Sequence, residues 1–201
     1  MNYKWARDFA LQLINQYSMA GTKIPAGYNN QADYLARIPK LLEDAQMYAA
    51  TTSAPIRHTE PLSALRCDEN GEWLVYTLPG DCWRMSGAGL IRYEGERFQR
   101  FRRYHPVGAD KFAMPKGVGG EIHVEYFRYP RGLGDTPQDT DELDNTVEVQ
   151  MALPYYVAAF LVMQDDAFAF SALSNEFEAR LGRLGEVPHA EVSIVEDAYG
   201  V

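Results

Sequence analysis

The chain has few cysteines and no apolar run long enough to cross a bilayer. Cys67 and Cys82 are the two cysteines, and residues 1–14 lack the uninterrupted apolar centre of a secretion signal. The longest apolar stretch, residues 152–163, contains Pro154 and is followed by two aspartates. We therefore expect a soluble protein, folded in a cytoplasm, with both thiols reduced. A disulfide between the two cysteines is the alternative.

Basic residues are also scarce relative to acidic ones. The chain has 19 Lys and Arg against 28 Asp and Glu, which gives a formal net charge of −9. An acidic protein gains no affinity for DNA from the release of condensed counterions. Non-specific binding of nucleic acid is therefore disfavoured as the main role.

Recognisable catalytic and metal-binding motifs are missing from the sequence. No histidine lies at zinc-ligand spacing from another histidine or from a cysteine. The acidic stretch at residues 134–145 lacks the glycine-centred spacing of a calcium loop. No Gly-x-Ser-x-Gly elbow or phosphate-binding loop is present. The sequence thus predicts neither an enzyme nor a cofactor, although an active site assembled only in space would leave no such signature. The histidines are His58, His105, His123 and His189.

Both ends of the chain carry apolar residues at helical spacing. They recur through residues 3–19 and again from about Asn30, where an asparagine is a suitable cap. Pro39 lies inside this second segment and predicts a kink or a new turn. Towards the other end, residues 149–161 and 168–184 have wide apolar faces, and Gly185 can cap the last helix.

The middle of the chain has short β-like runs separated by turn residues. The last of them alternates, with Ile122, Val124 and Tyr126 on one face. We predict an α+β fold: a helical core built from both chain ends, an inserted antiparallel β module and an extended C-terminal tail. The predicted segments are N-terminal helices at 1–61, the β module at 62–130, an acidic loop at 131–145, C-terminal helices at 146–185 and the tail at 186–201.

Two helical segments resemble those of the head-to-tail adaptor (connector) proteins of tailed bacteriophages. The first is residues 34–46, Tyr-Leu-Ala-Arg-Ile-Pro-Lys-Leu-Leu-Glu-Asp-Ala-Gln, followed by Pro-Ile-Arg at 55–57. The second is residues 149–159, Val-Gln-Met-Ala-Leu-Pro-Tyr-Tyr-Val-Ala-Ala, leading to Phe-Glu-Ala-Arg-Leu at 177–181. In the family this helix pair follows a strand and an acidic loop, which residues 121–130 and 135–137 match. Glu43 and Asp44 depart from the asparagine-containing run typical of the family.

The resemblance, which covers about residues 34–184, implies a structural protein of the virion neck, made in the host cytoplasm. Such proteins form rings, typically dodecamers, that bind the portal protein and bridge it to the next neck or tail component. DNA passes through the ring without specific binding. The family also uses its C-terminal tail to reach the portal. The apolar tail residues expected to dock are Val192, Ile194, Val195, Tyr199 and Val201.

Residues 92–104 interleave five arginines with four aromatic residues, a pattern that also occurs in nucleic-acid-binding surfaces. The arginines expected to face DNA or a neighbouring subunit are Arg97, Arg100, Arg102 and Arg103. We favour a solvent-facing or subunit-facing strand because the net charge opposes affinity for DNA. In one hypothesis these arginines meet the acidic loop of a neighbouring subunit, at Asp139, Asp141, Glu142 and Asp144. The alternative functions are another neck or tail-completion protein, or a DNA-binding packaging protein that uses residues 92–103.

Overall fold

A computed structural model describes residues 1–14, 30–64, 66–67 and 71–185 of the chain. It contains two compact units. The helical unit combines Met1–Ala54 with the chain from Arg131 onward, and the β unit is Pro55–Pro130. The chain therefore leaves the helical unit once, forms the β unit and then returns. The predicted α+β fold is confirmed.

Five helices are assigned within the described part of the helical unit. Asn2 caps the first of them, because its side-chain oxygen accepts a hydrogen bond from the Trp5 amide at 3.0 Å. Pro39 lies inside the second helix without ending it. The helices are α1 (Tyr3–Leu13), α2 (Asn30–Thr52), α3 (Val147–Gln150), α4 (Leu153–Val162) and α5 (Ala167–Gly185).

The core of the helical unit joins residues from both ends of the chain. From the first part come Ala10, Ile38 and Leu42, and from the second come Val157 and Leu181, all fully buried. Helix α4 is apolar on nearly every side, as expected for a helix packed against several neighbours. Helix α2 forms a hydrogen bond with the final turn of α4, in which the Arg37 guanidinium donates to the Phe160 carbonyl at 3.0 Å. A cation suits this negative end of a helix.

The β unit has two four-stranded antiparallel sheets. One has the order β1-β8-β4-β5 and the other β2-β3-β7-β6. Their strands are β1 (Ile56–Pro61), β2 (Arg66–Cys67), β3 (Trp73–Thr77), β4 (Cys82–Glu94), β5 (Arg97–Phe101), β6 (His105–Pro106), β7 (Lys111–Pro115) and β8 (Glu121–Arg128).

The β unit has a core of its own, built from alternating positions of its strands. Leu90 on β4, Val124 and Tyr126 on β8, and Phe112 on β7 are buried together. Strand β4 is the longest of the eight, and its register with β8 shifts between Met85 and Leu90. Gly89 lies at this irregularity with φ of +65°, a conformation that glycine adopts readily and that accompanies many β-bulges.

One predicted boundary is wrong, and a second extends beyond the described residues. Residues 56–61 were expected among the N-terminal helices, but they form β1, which pairs along its whole length with β8. The first helix was expected to reach residue 19; α1 spans Tyr3–Leu13 with Ile14 as its C-terminal cap, and residues 15–19 lie outside the described residues. Apolar periodicity indicates that a helix exists but does not locate its ends, which depend on capping and on tertiary contacts.

Candidate assembly surfaces

The acidic loop, residues 131–145, is bonded to the helical core by buried amide side chains. Gln150, at the end of α3, is 4% exposed, and its Nε2 donates to the carbonyls of Leu143 at 2.8 Å and Asn145 at 2.6 Å. Gln46 on α2 is fully buried, and its Oε1 accepts from the Asp144 amide at 2.9 Å. Buried backbone groups outside regular structure need such partners. These glutamines therefore fix the C-terminal half of the loop.

Glu43 on α2 holds the beginning of the same loop. One of its carboxylate oxygens, Oε1, accepts hydrogen bonds from the amides of Leu133 at 2.8 Å and Gly134 at 3.0 Å. A Cβ atom at Gly132 would lie only 2.9 Å from this oxygen, so the close approach favours glycine there. Glu43 and Gln46, one helical turn apart, thus position two parts of the loop from a single helix.

The loop aspartates singled out in the sequence form hydrogen bonds inside the chain. Asp139 accepts from the Arg7 guanidinium at 2.6 Å, and Asp141 accepts from the Gln138 amide at 2.8 Å. Asp144 accepts from the Arg131 amide at 2.8 Å. Glu142 is exposed, and its backbone forms an isolated β-bridge with Asn2. Three of the four predicted acidic residues thus already bind partners within their own chain.

A small ionic cluster on α1 lies next to this loop. Asp8 forms ion pairs with Lys4 and with Arg7, and Arg7 also reaches Asp139. Burial alone would raise the pKa of Asp8, but hydrogen bonds from Lys4 and Arg7 outweigh it and hold that pKa below its usual value. Burial likewise opposes the charge of Arg7, yet hydrogen bonds to Asp139 and Asp8 raise its pKa. The cluster remains charged at neutral pH and bonds α1 to the acidic loop.

The arginines of residues 92–103 do not share one face of the sheet. Paired residues of an antiparallel ladder lie on the same face, and β4 pairs Arg92 with Gln99 but Ile91 with Arg100. Arg97 pairs with Glu94, on the face of Arg92 and Gln99. Arg92 also forms an ion pair with Glu94 at 3.2 Å. The strand register therefore divides the predicted patch between two faces.

Arg102 and Arg103, the other two predicted arginines, follow β5 and are exposed. Phe98, near the start of β5, is 65% exposed and contacts Tyr93 with ring centroids 5.9 Å apart. The hairpin formed by β4 and β5 is therefore mixed in character, with aromatic, basic and acidic side chains interspersed.

The outward face of the first sheet carries a second arginine cluster that the sequence reading missed. The guanidinium carbon of Arg84 lies 4.6 Å from the ring centroid of Trp83 and 4.9 Å from that of Phe127. Arg57 lies 5.9 Å from the Phe127 ring and pairs with Glu125 at 3.8 Å. We call Arg57, Trp83, Arg84 and Phe127 the outer-face cluster. Its members come from β1, β4 and β8 and meet only because these strands pair.

The helical unit has an exposed apolar side chain at the corner between α4 and α5. Phe168 is 85% exposed, the largest value among the large hydrophobic residues that the structure describes. Met163, at the end of α4, is 42% exposed. Between them lie Asp165 and Asp166, both exposed, and Asp166 caps α5 by accepting from the Ala169 amide at 2.9 Å. We call residues 163–168 the α4–α5 corner.

Charge is distributed unequally between the two units. The β unit carries 11 of the 19 Lys and Arg and 10 of the 28 Asp and Glu, a formal net charge of +1. The remaining residues carry 8 basic against 18 acidic side chains, a net charge of −10. The acidity of the whole chain, which argues against affinity for nucleic acid, therefore belongs to the helical unit.

Other predictions from the sequence concern the C-terminal tail, the thiols, metal ligands and membrane spans. The expected docking residues of the tail, Val192, Ile194, Val195, Tyr199 and Val201, lie outside the described residues. Cys82 is a free thiol, and burial raises its pKa. Over the described ranges, no cluster of three or more His, Cys, Asp or Glu side chains is arranged to hold a metal ion. No helix in those ranges is long and apolar enough to span a membrane.

Comparison with protein family models and with curated proteins gives no match to this chain.

Proposed function

We propose that the chain is a structural subunit of the head-to-tail connector of a tailed bacteriophage. In this role it forms a ring, as a dodecamer, that binds the portal protein and bridges it to the next neck or tail component. DNA passes through the ring without specific binding, and the protein resides in the virion neck. The apolar tail at residues 186–201 binds the portal.

One structural observation carries this proposal. The two segments that resemble the adaptor family are about a hundred residues apart in sequence, yet they pack into one core. Ile38 and Leu42 from the first segment are buried with Leu153, Val157 and Leu181 from the second. The two resembling segments therefore belong to one packed helical core, and the β unit is inserted between them in the sequence.

The acidic loop adds support from the same region. It joins the β unit to the closing helices, and Glu43 and Gln46 hold it from within the first resembling segment. Glu43 is one of the two residues at which the sequence departs from the family run, whereas Gln46 belongs to the resembling segment. At this departure the Glu43 carboxylate accepts hydrogen bonds from the amides of Leu133 and Gly134, so the residue has a structural role that is compatible with the proposal.

The DNA-binding alternative receives less support from the arrangement. It needs a contiguous basic surface along residues 92–103, whereas the register places Arg92 and Arg97 on one face and Arg100 on the other. Glu94 forms an ion pair with Arg92 and lies opposite Arg97 in the strand register, so its negative charge reduces the positive charge of that face. A weak salt dependence of any DNA binding is therefore expected.

Electron microscopy of the purified protein, alone and mixed with the portal protein from the same source, tests the proposal. The expected result is a ring with a central channel, formed alone or on the portal. The position of the ring also distinguishes this adaptor from another neck or tail-completion protein. A chain that stays monomeric and does not bind the portal would refute the proposal, and DNA binding at several salt concentrations would then be measured.

A further inference from the structure

The outer-face cluster has the properties of a preformed recognition surface. Arg84 lies against two aromatic rings, at 4.6 and 4.9 Å from their centroids, so its guanidinium is held in place before any partner arrives. The side chain of Arg57 is 65% exposed. The neighbouring carboxylate, Glu125, is only 16% exposed and also accepts a hydrogen bond from the Ser86 hydroxyl at 2.6 Å. The cluster therefore presents mainly cationic and aromatic groups to solvent.

The α4–α5 corner has the complementary properties. Phe170 packs inward against Phe160, with ring centroids 5.6 Å apart, whereas Phe168 is 85% exposed. Exposed aromatic side chains of this kind are often anchor residues of protein interfaces. Asp165 and Asp166 supply negative charge three and two residues before Phe168. A cationic and aromatic surface is a suitable partner for a phenylalanine that follows two carboxylates.

We propose that the α4–α5 corner of one copy docks on the outer-face cluster of a second copy. Phe168 contacts the aromatic rings of Trp83 and Phe127, and Asp165 lies near the guanidinium groups of Arg57 and Arg84. The net charges of the two units, −10 and +1, favour a contact between unlike units over a contact between two helical units.

Such a contact joins different surfaces of two identical chains. Heterologous contacts of this type generate closed rings when the rotation between subunits closes, and open filaments when it does not. The inference thus deepens the proposed function, on which it rests, by naming an inter-subunit contact of the ring. The corner and the cluster are expected to be the energetically important part of a larger interface.

The first test compares two phenylalanine substitutions at exposed positions. Phe168→Ala removes the anchor. Phe98→Ala makes the same change on β5, where Phe98 is 65% exposed and lies opposite Tyr93 of β4. Assembly alone and with the portal is followed by electron microscopy and mass photometry. We expect Phe168→Ala to raise the concentration needed for ring formation about tenfold or more, the effect of losing an interface anchor. Phe98→Ala should leave that concentration unchanged.

The second test exchanges charges across the contact. Arg84→Asp and Asp165→Arg should each weaken assembly, whereas an equal mixture of the two variants should assemble, because each faulty surface then meets a complementary one. Circular dichroism checks that both variants are folded. Because the ionic part of the contact is exposed, higher salt should weaken wild-type assembly.

The outcomes separate this inference from the proposed function. Wild-type rings that both Phe168→Ala and Arg84→Asp leave intact would overturn the docking contact but retain the connector. A mixture that assembles no better than its two components would also overturn it. A wild-type chain that remains monomeric with and without the portal would overturn both.

Discussion

The buried side chain of Gln150 provides the sharpest stability prediction. Its Nε2 donates to two carbonyls of the acidic loop, those of Leu143 and Asn145, and the residue is 4% exposed. Leucine has a similar volume but neither a donor nor an acceptor. Gln150→Leu therefore removes these two hydrogen bonds and the one that the Gln150 Oε1 accepts from the Met1 amino group at 2.7 Å, without opening a large cavity. A buried polar group left without its partner costs about 1–3 kcal/mol. With two buried carbonyls left unpaired, the free energy of unfolding should therefore fall by about 2–6 kcal/mol.

Urea unfolding followed by circular dichroism measures this loss, and hydrogen exchange locates it. The amides of the acidic loop should exchange faster in Gln150→Leu, because the loop is then no longer bonded to the end of α3. Gln12→Leu is the matched control, since Gln12 lies exposed on α1 and its replacement should change stability by at most about 0.5 kcal/mol. If the two variants are equally stable, these hydrogen bonds do not hold the loop and the reasoning is wrong.

Three further predictions concern single side chains. Gly120→Ala should lower the free energy of unfolding by about 3 kcal/mol or more, because Gly120 has φ of +85° and a Cβ there would lie 2.4 Å from the Tyr93 carbonyl oxygen. Tryptophan fluorescence during urea unfolding measures this loss, and a value below about 1 kcal/mol would contradict the prediction. Because the folded-state pKa of Asp8 is depressed, its stabilisation should be present above the unfolded-state pKa of about 4 and be lost as pH falls through the folded value. Asp8→Asn should thus be less stable than wild type at neutral pH but equally stable in strong acid, as urea titrations at both pH values would establish. Tyr126→Phe removes the hydrogen bond from the buried phenol to Asp81 and should cost about 1 kcal/mol in the same assay.

The sequence predicted those features that depend on local periodicity. On α2 the positions at helical spacing, including Ile38, Leu42 and Ala45, are fully buried. On β8 the alternating residues Ile122 and Val124 face the core, as expected. Such patterns are readable because one face of an element must be buried wherever the element lies. They identified the α+β class and most of the helices and strands.

Features that depend on pairing between distant residues were not predictable in the same way. Strand β1 has the sequence Ile-Arg-His-Thr-Glu-Pro, with little alternation of apolar residues, and its conformation is fixed by pairing with β8. The two glutamines that hold the acidic loop, Gln46 and Gln150, have no local signature, since buried amides are recognised only by their partners.

The contrast between the two arginine groups shows how strand register changes a functional interpretation. Arg97 and Arg100 are neighbours in sequence, yet their pairing partners place them on opposite faces of β5. Arg57 and Arg84 are far apart in sequence, but they lie on β1 and β4, the two strands that flank β8. Both pair with Phe127 of β8 and therefore share one face of the sheet. The spacing of charges along the chain points to Arg97 and Arg100 as one basic surface. A partner that approaches one face of the sheet would instead contact Arg57 and Arg84 together.

The hydrogen bonds of the acidic loop also change which carboxylates are available to bind arginines of a neighbouring subunit. The hypothesis that hairpin arginines meet a neighbour's acidic loop needs carboxylates that are available, but Asp139, Asp141 and Asp144 already accept hydrogen bonds within the chain. A contact with a neighbouring subunit would have to replace these hydrogen bonds. Replacing one hydrogen bond by another changes the free energy of binding little, so such a contact would gain little affinity. Asp165, by contrast, lies exposed in a corner next to a phenylalanine that has little contact with its own chain. A contact there buries apolar area as well as charge, and burial of apolar area is the larger contribution to most stable interfaces.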